Sequence, residues 1–86
     1  MGENPRPTSS RILFAANMKR LRERAGFSQE RFAESIGFHR TYVSAVELGK
    51  RNVSLDNIDK IAKALKVRPS DLLSEQARPG TASEQA

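Results

Sequence analysis

Arg40, Thr41, Ser44 and Ala45 stand at positions one turn apart on a short amphipathic stretch, so a helix there carries them on or near one face. Their side chains suit recognition of a surface rather than bond making. A guanidinium at Arg40 can pair with guanine O6 and N7, a contact worth about 1–3 kcal/mol of base discrimination. Thr41 and Ala45 are short enough to admit the helix closely and to meet a thymine methyl. Gln29, His39, Tyr42, Lys50, Arg51 and Asn52 flank that stretch with amide, imidazole, phenol and cationic groups. Such groups suit phosphate oxygens, which fix register and dominate salt dependence without selecting sequence.

The same inventory argues against an enzyme. The chain has no cysteine and one histidine, His39, so thiolate sites, disulfides and His-based metal clusters are excluded. It has no glycine-rich phosphate loop, and 86 residues leave little room for a reaction pocket of about 300 Å³. No cofactor, metal or small-molecule ligand is expected. No apolar run approaches the roughly 18 residues that cross a bilayer, so no membrane partner is expected either, and the cytoplasm is the expected compartment.

The elements that must position these groups follow from spacing and caps. Counted from Gln29, the fifth residue is Ala33, the ninth Gly37 and the fifteenth Val43, with Phe32, Ile36, Phe38 and Val46 apolar between and beyond them. This is the pattern of two short helices joined by a tight turn, the second of which enters the major groove. A small Ala33 lets the helices approach, Gly37 supplies a positive φ, and Val43 and Val46 hold the second helix from beneath. Ser28 caps the helix that begins at Gln29, whose N-terminus then points at a phosphate. His39 caps the helix from about Arg40 to Leu48. Upstream, Ser9 or Ser10 caps a helix reaching about Ala25, with Gly26 closing it. Downstream, Ser54 caps a helix from Leu55 to about Lys66, and Pro69 opens a short fifth helix carrying Leu72 and Leu73. No strand signal is present, and the expectation is an all-α domain of five helices. Residues 1–8 read as a flexible N-terminal arm, 9–75 as the folded domain and 76–86 as a disordered tail.

An apolar content of 37% makes the core small, so a second subunit is a natural source of stability. Val67, Leu72 and Leu73 can serve as core, as dimer seam, or as both. The formal charge of +5 favours a polyanionic partner, with cations clustered on the first helix and at Lys50 and Arg51. Arg6 and Arg11 offer an arm for the backbone or minor groove. Phe27, Phe32 and Phe38 read as core, and Lys60, Lys63 and Lys66 as a solvated face.

On the segments SQERFAESIG and VSAVELGKRN, the chain resembles the Cro/C1-type helix-turn-helix family, also called the XRE family. Within it, HRTYVSAVELGKRNVSL is most similar to restriction–modification controller proteins, which often open the recognition helix with Arg-Thr-Tyr. The resemblance spans Ile12 to Leu73. It implies a lambda-repressor-like domain acting as a homodimer on a palindromic operator in double-stranded DNA, regulating transcription, often of its own gene. RNA polymerase is a further candidate partner. It also implies base-reading roles for Arg40, Thr41, Ser44 and Ala45, backbone roles for Gln29, Tyr42, Lys50, Arg51 and Asn52, and a structural ion pair between Arg22 and Glu47. His39 stands where the family often has Ser or Thr, and Leu48 where it usually has a polar residue. A rival reading is a protein-interaction scaffold or coactivator module that shares the fold without reading DNA. Arg40, Thr41, Tyr42 and Ser44 on the exposed face favour DNA.

Overall fold

A computed structural model describes residues 8–75. The expected arm, apart from Thr8, and the expected tail from residue 76 onward lie outside the described residues, and so does Arg6. Four α-helices follow one another: α1 (Ser9–Arg24), α2 (Gln29–Ile36), α3 (Arg40–Glu47) and α4 (Leu55–Leu65). A 3₁₀ turn, Pro69–Leu73, completes the domain, and the described residues contain no strand.

The expected fifth α-helix is therefore a 3₁₀ turn. Its length of five residues barely accommodates α-type hydrogen bonds, and Pro69 at its start has no N–H to give. Its closing bond runs from the Asp71 N–H to the Arg68 carbonyl, 2.9 Å. Asp71 also accepts from the Arg68 backbone N–H at 2.9 Å, which holds its carboxyl below the usual aspartate range.

Side-chain caps set the helix starts. Thr8, rather than Ser9 or Ser10, caps α1 by accepting from the Arg11 N–H, so the helix begins directly after it. Ser28 and Ser54 cap α2 and α4, each accepting from the N–H three residues on at 3.0 Å. At the other end of α4, Lys66 leaves the helix with φ 60, a left-handed conformation usual for glycine but costly for a side chain with a Cβ.

The core lies where the helices meet. Phe14 and Met18 of α1 pack with Phe32 and Ala33 of α2, Val43 and Val46 of α3, and Ile58, Ile61, Ala62 and Leu65 of α4. Leu72 belongs to this core and is wholly buried within the subunit, so it cannot also form a dimer seam. Val67 is half-buried and Leu73 is exposed, so these two alone of the expected seam residues retain surface.

A buried asparagine fastens the C-terminal turn to α1. Asn17 donates from Nδ2 to the carbonyls of Leu72 and Ser74 at 2.9 and 2.8 Å, while its Oδ1 accepts from Arg20 at 3.3 Å. Both amide hydrogens thus satisfy carbonyls that a short 3₁₀ turn leaves without α-helical partners. Asn17→Ala should strand those carbonyls and cost about 1–3 kcal/mol, read by urea unfolding. An unchanged unfolding midpoint would show that the turn docks through Leu72 alone.

Candidate nucleic-acid interface

The turn between α2 and α3 is built by Gly37 and Ala33. Gly37 adopts φ 73 at the end of α2, and the Phe38 N–H returns to the Ala33 carbonyl at 2.8 Å. Ala33 is nearly fully buried, so the backbones of α2 and α3 approach closely at that position. Val43 and Val46 anchor the inner face of α3. That packing leaves Arg40 and Thr41 exposed and Ser44 and Ala45 half-buried on the outer side. His39 occupies the N-cap position, but its side chain makes no capping hydrogen bond, contrary to expectation. An imidazole ring is a poor substitute for the short hydroxyl that reaches back to the first turn. His39 instead stands exposed beside the start of α3.

One carboxylate joins three helices. Arg22 of α1 grips Glu47 of α3 in a two-pronged pair, Nε to Oε2 at 2.7 Å and Nη2 to Oε1 at 3.0 Å. The remaining Nη1 donates to the Phe27 carbonyl at 2.6 Å. The two side chains are only 6% and 2% exposed. The hydrogen bonds that Arg22 donates to Glu47 raise the Arg22 pKa against the opposing effect of burial. Gln29 of α2 adds an Nε2 bond to Glu47 Oε1 at 3.1 Å. That contact occupies one amide hydrogen of Gln29 and leaves the second available to a ligand.

The flanking donors are held in comparable ways. Arg11 of α1 donates Nε and Nη2 to Asn52 Oδ1 at 3.1 and 2.6 Å, and Nη1 to the Gly49 carbonyl at 3.4 Å. The Asn52 amide oxygen is thereby occupied, leaving its NH₂ to donate outward. Arg11, expected as part of a basic arm, instead braces the loop between α3 and α4. Tyr42 is half-buried: its ring meets Phe38 edge-on at 5.1 Å and carries the Arg51 guanidinium 5.0 Å from its centroid. Asn57 of α4 donates to the Tyr42 hydroxyl at 3.0 Å. Lys50, Arg51 and Asn52 are exposed along the loop, and Leu48 stands 65% exposed where α3 ends. The supporting roles of Arg11 and Asn57 carry no signal in local spacing, since their partners lie 41 and 15 positions away.

Among the described residues no group of three His, Asp or Glu side chains could hold a metal ion. No described helix is long and apolar enough to cross a membrane. A groove of about 220 Å³ beside the start of α1 is lined by Phe14, Val46, Ile58 and Leu73 with Arg11 and Arg51, and contains no carboxylate or imidazole.

A helix-turn-helix family model, HTH_3, matches residues 18–72. The chain is 52% identical over 64 residues to the control protein C.BamHI of Bacillus amyloliquefaciens, spanning 73% of this chain and 79% of that protein. It superposes with a TM-score of 0.71 on the restriction-modification controller protein C.AhdI from Aeromonas hydrophila, at 43% identity, covering 76% of this chain and 98% of that one. The hypothetical transcription factor NHTF from Neisseria gives a TM-score of 0.76 at 38% identity, covering 100% of this chain and 95% of the other.

Glu47→Ala should leave the Arg22 guanidinium buried without its counter-charge and cost about 3–5 kcal/mol, measured by chemical denaturation. A loss below about 1 kcal/mol would mean that water replaces the carboxylate and that the pair is dispensable.

Proposed function

The chain belongs to the HTH_3 helix-turn-helix family, and on that premise we propose that it is a homodimeric transcription regulator binding a palindromic DNA operator. In this reading α3 enters the major groove, and the mode of action is that of a restriction–modification controller that also acts on its own gene. One observation carries the reading: an exposed row of cationic and amide donors lies on and beside α3, on a platform locked by the Arg22–Glu47 pair. Arg40, Thr41, Ser44 and Ala45 read bases. Gln29, His39, Tyr42, Lys50, Arg51 and Asn52 hold phosphates. Likeness to the C.BamHI and C.AhdI controllers supports the same assignment. A protein-interaction scaffold would call for apolar or acidic side chains on the outer side of α3, where this chain has Arg40 and Thr41.

Size supports dimerisation. A subunit this small has a limited core, and Val67 and Leu73 offer the apolar surface that a symmetry mate would cover. Two copies of α3 then meet successive major-groove faces about 34 Å apart, which makes a symmetric half-site arrangement the natural target.

Selection of bound duplexes from a random pool should return two related half-sites in inverted repeat. Arg40→Ala should flatten preference at one base position per half-site. Lys50→Ala should weaken all sequences alike and reduce the slope of log affinity against log salt by about one. An unchanged base preference after Arg40→Ala would overturn the reading assignment. Sedimentation at micromolar concentration should give a dimer, and a persistent monomer that selects a single half-site would overturn the palindrome.

A further inference from the structure

We propose that Asn57 is a positioning residue that fixes the direction in which the Tyr42 hydroxyl donates its hydrogen bond. The inference rests on the reading of Tyr42 as a phosphate contact and concerns what makes that contact effective. A phenol oxygen carries one proton to give and lone pairs to accept with. The Asn57 Nδ2 atom lies 3.0 Å from it, and an amide nitrogen only donates, so the phenol is the acceptor in this pair. Its own proton is then not spent on Asn57, and no hydrogen bond takes it to another described residue. That proton is left to meet a phosphate oxygen.

The ring itself has little freedom to redirect that proton. Phe38 meets it edge-on at 88°, and the Arg51 guanidinium covers a face. Asn57 is equally fixed. It sits in the first turn of α4, where its backbone N–H donates to the Ser54 cap at 3.0 Å. Its side chain leans back toward the N-terminal end of the helix, as helical side chains do, and so reaches α3. The residue type is specific. An aspartate here would accept the phenol proton and turn it inward, and an aliphatic residue would leave the hydroxyl free to rotate. Asn57 thus contributes to DNA binding through Tyr42, by ordering a donor before the ligand arrives rather than by touching the ligand.

A double-mutant cycle on the duplex selected from the random pool tests this. Asn57→Leu should weaken binding about threefold to tenfold in the Tyr42 protein, the range of one neutral hydrogen bond. In a Tyr42→Phe background, where there is no hydroxyl to direct, the same substitution should change affinity less than about twofold. Equal losses in both backgrounds, or no loss in the Tyr42 protein, would overturn the proposal. Tyr42→Phe by itself separates the two levels. If it leaves affinity unchanged, the phosphate role of Tyr42 fails and the proposal fails with it. If it weakens binding while Asn57→Leu does not, only the positioning role fails. Thermal unfolding of each variant establishes that the folded population is unchanged, and Asn57→Ala carries the same cycle should Asn57→Leu not fold.

Discussion

The burial of the Glu47 carboxylate is the constraint on which the arrangement of α1, α2 and α3 depends. A carboxylate taken out of water without partners costs several kcal/mol, which a core of this size cannot offset. Three donors meet that demand: two from Arg22 and one from Gln29. Each comes from a different helix than Glu47, so satisfying the charge and docking the helices are the same event. An apolar residue of equal volume would pack as well, and such replacements are often neutral or stabilising. What the pair adds is direction. A two-pronged guanidinium–carboxylate contact has one good geometry, whereas apolar helices slide against one another at small cost. α3 is thereby held at one angle to α1.

The same logic extends to the donors proposed to hold phosphates. Gln29, Asn52 and Tyr42 each have one polar atom engaged by a residue set behind them: Glu47, Arg11 and Asn57 respectively. In Asn52 the engaged atom is the amide oxygen, in Tyr42 it is the phenol oxygen as acceptor, and in Gln29 one of the two Nε2 hydrogens is taken. Each group then keeps an N–H or O–H that its brace does not use. An unbraced amide or phenol would have to give up side-chain freedom on binding, at about 0.5–1.5 kcal/mol per group. Bracing moves that loss into folding. For a small domain with few contacts, this is an efficient route to affinity, because none of the supporting residues has to touch the ligand.

The residues themselves show which parts of this design can be read from sequence. The α2–turn–α3 platform is legible because its determinants are local: Ala33, Gly37, Val43 and Val46 lie within fourteen positions, and each acts through backbone angle or volume at a fixed offset. Serine caps at Ser28 and Ser54 are legible for the same reason. The cap of α1 is ambiguous because Thr8, Ser9 and Ser10 are three competent hydroxyls in a row, and only the path of the chain selects Thr8. Lys66 in a left-handed conformation breaks the local preference for glycine, between Leu65 and Leu72, which are both buried in the core. The last turn reads as a helix because Pro69 and two leucines satisfy helical patterning. Its docking onto α1 uses Asn17, which is 55 positions from its Leu72 acceptor. Arg11 and Asn57 are silent in the sequence on the same ground, for a polar residue on a helix has no distinguishing mark until its partner is known.

Charge follows the same rule of location over amount. The net +5 is a modest excess, and a part of the cationic total is already committed to ion pairs within the chain. Arg22 is neutralised by Glu47, Lys63 lies 3.6 Å from Asp59, and Arg68 lies 3.3 Å from Asp71. Among the described residues no ion pair involves Arg40, Lys50 or Arg51. These three leave uncompensated charge at the two ends of α3 and on the loop beyond it, as Lys19, Arg20 and Arg24 do on α1. Since a phosphate backbone responds to charge within about a Debye length, roughly 8–10 Å, that local excess rather than the sum over the chain sets the field a duplex would meet. Arg51 illustrates how tightly position is controlled. Stacked on Tyr42, it keeps its full charge because an aromatic face attracts a cation without neutralising it, whereas a carboxylate at the same place would hold the guanidinium equally still and cancel the attraction.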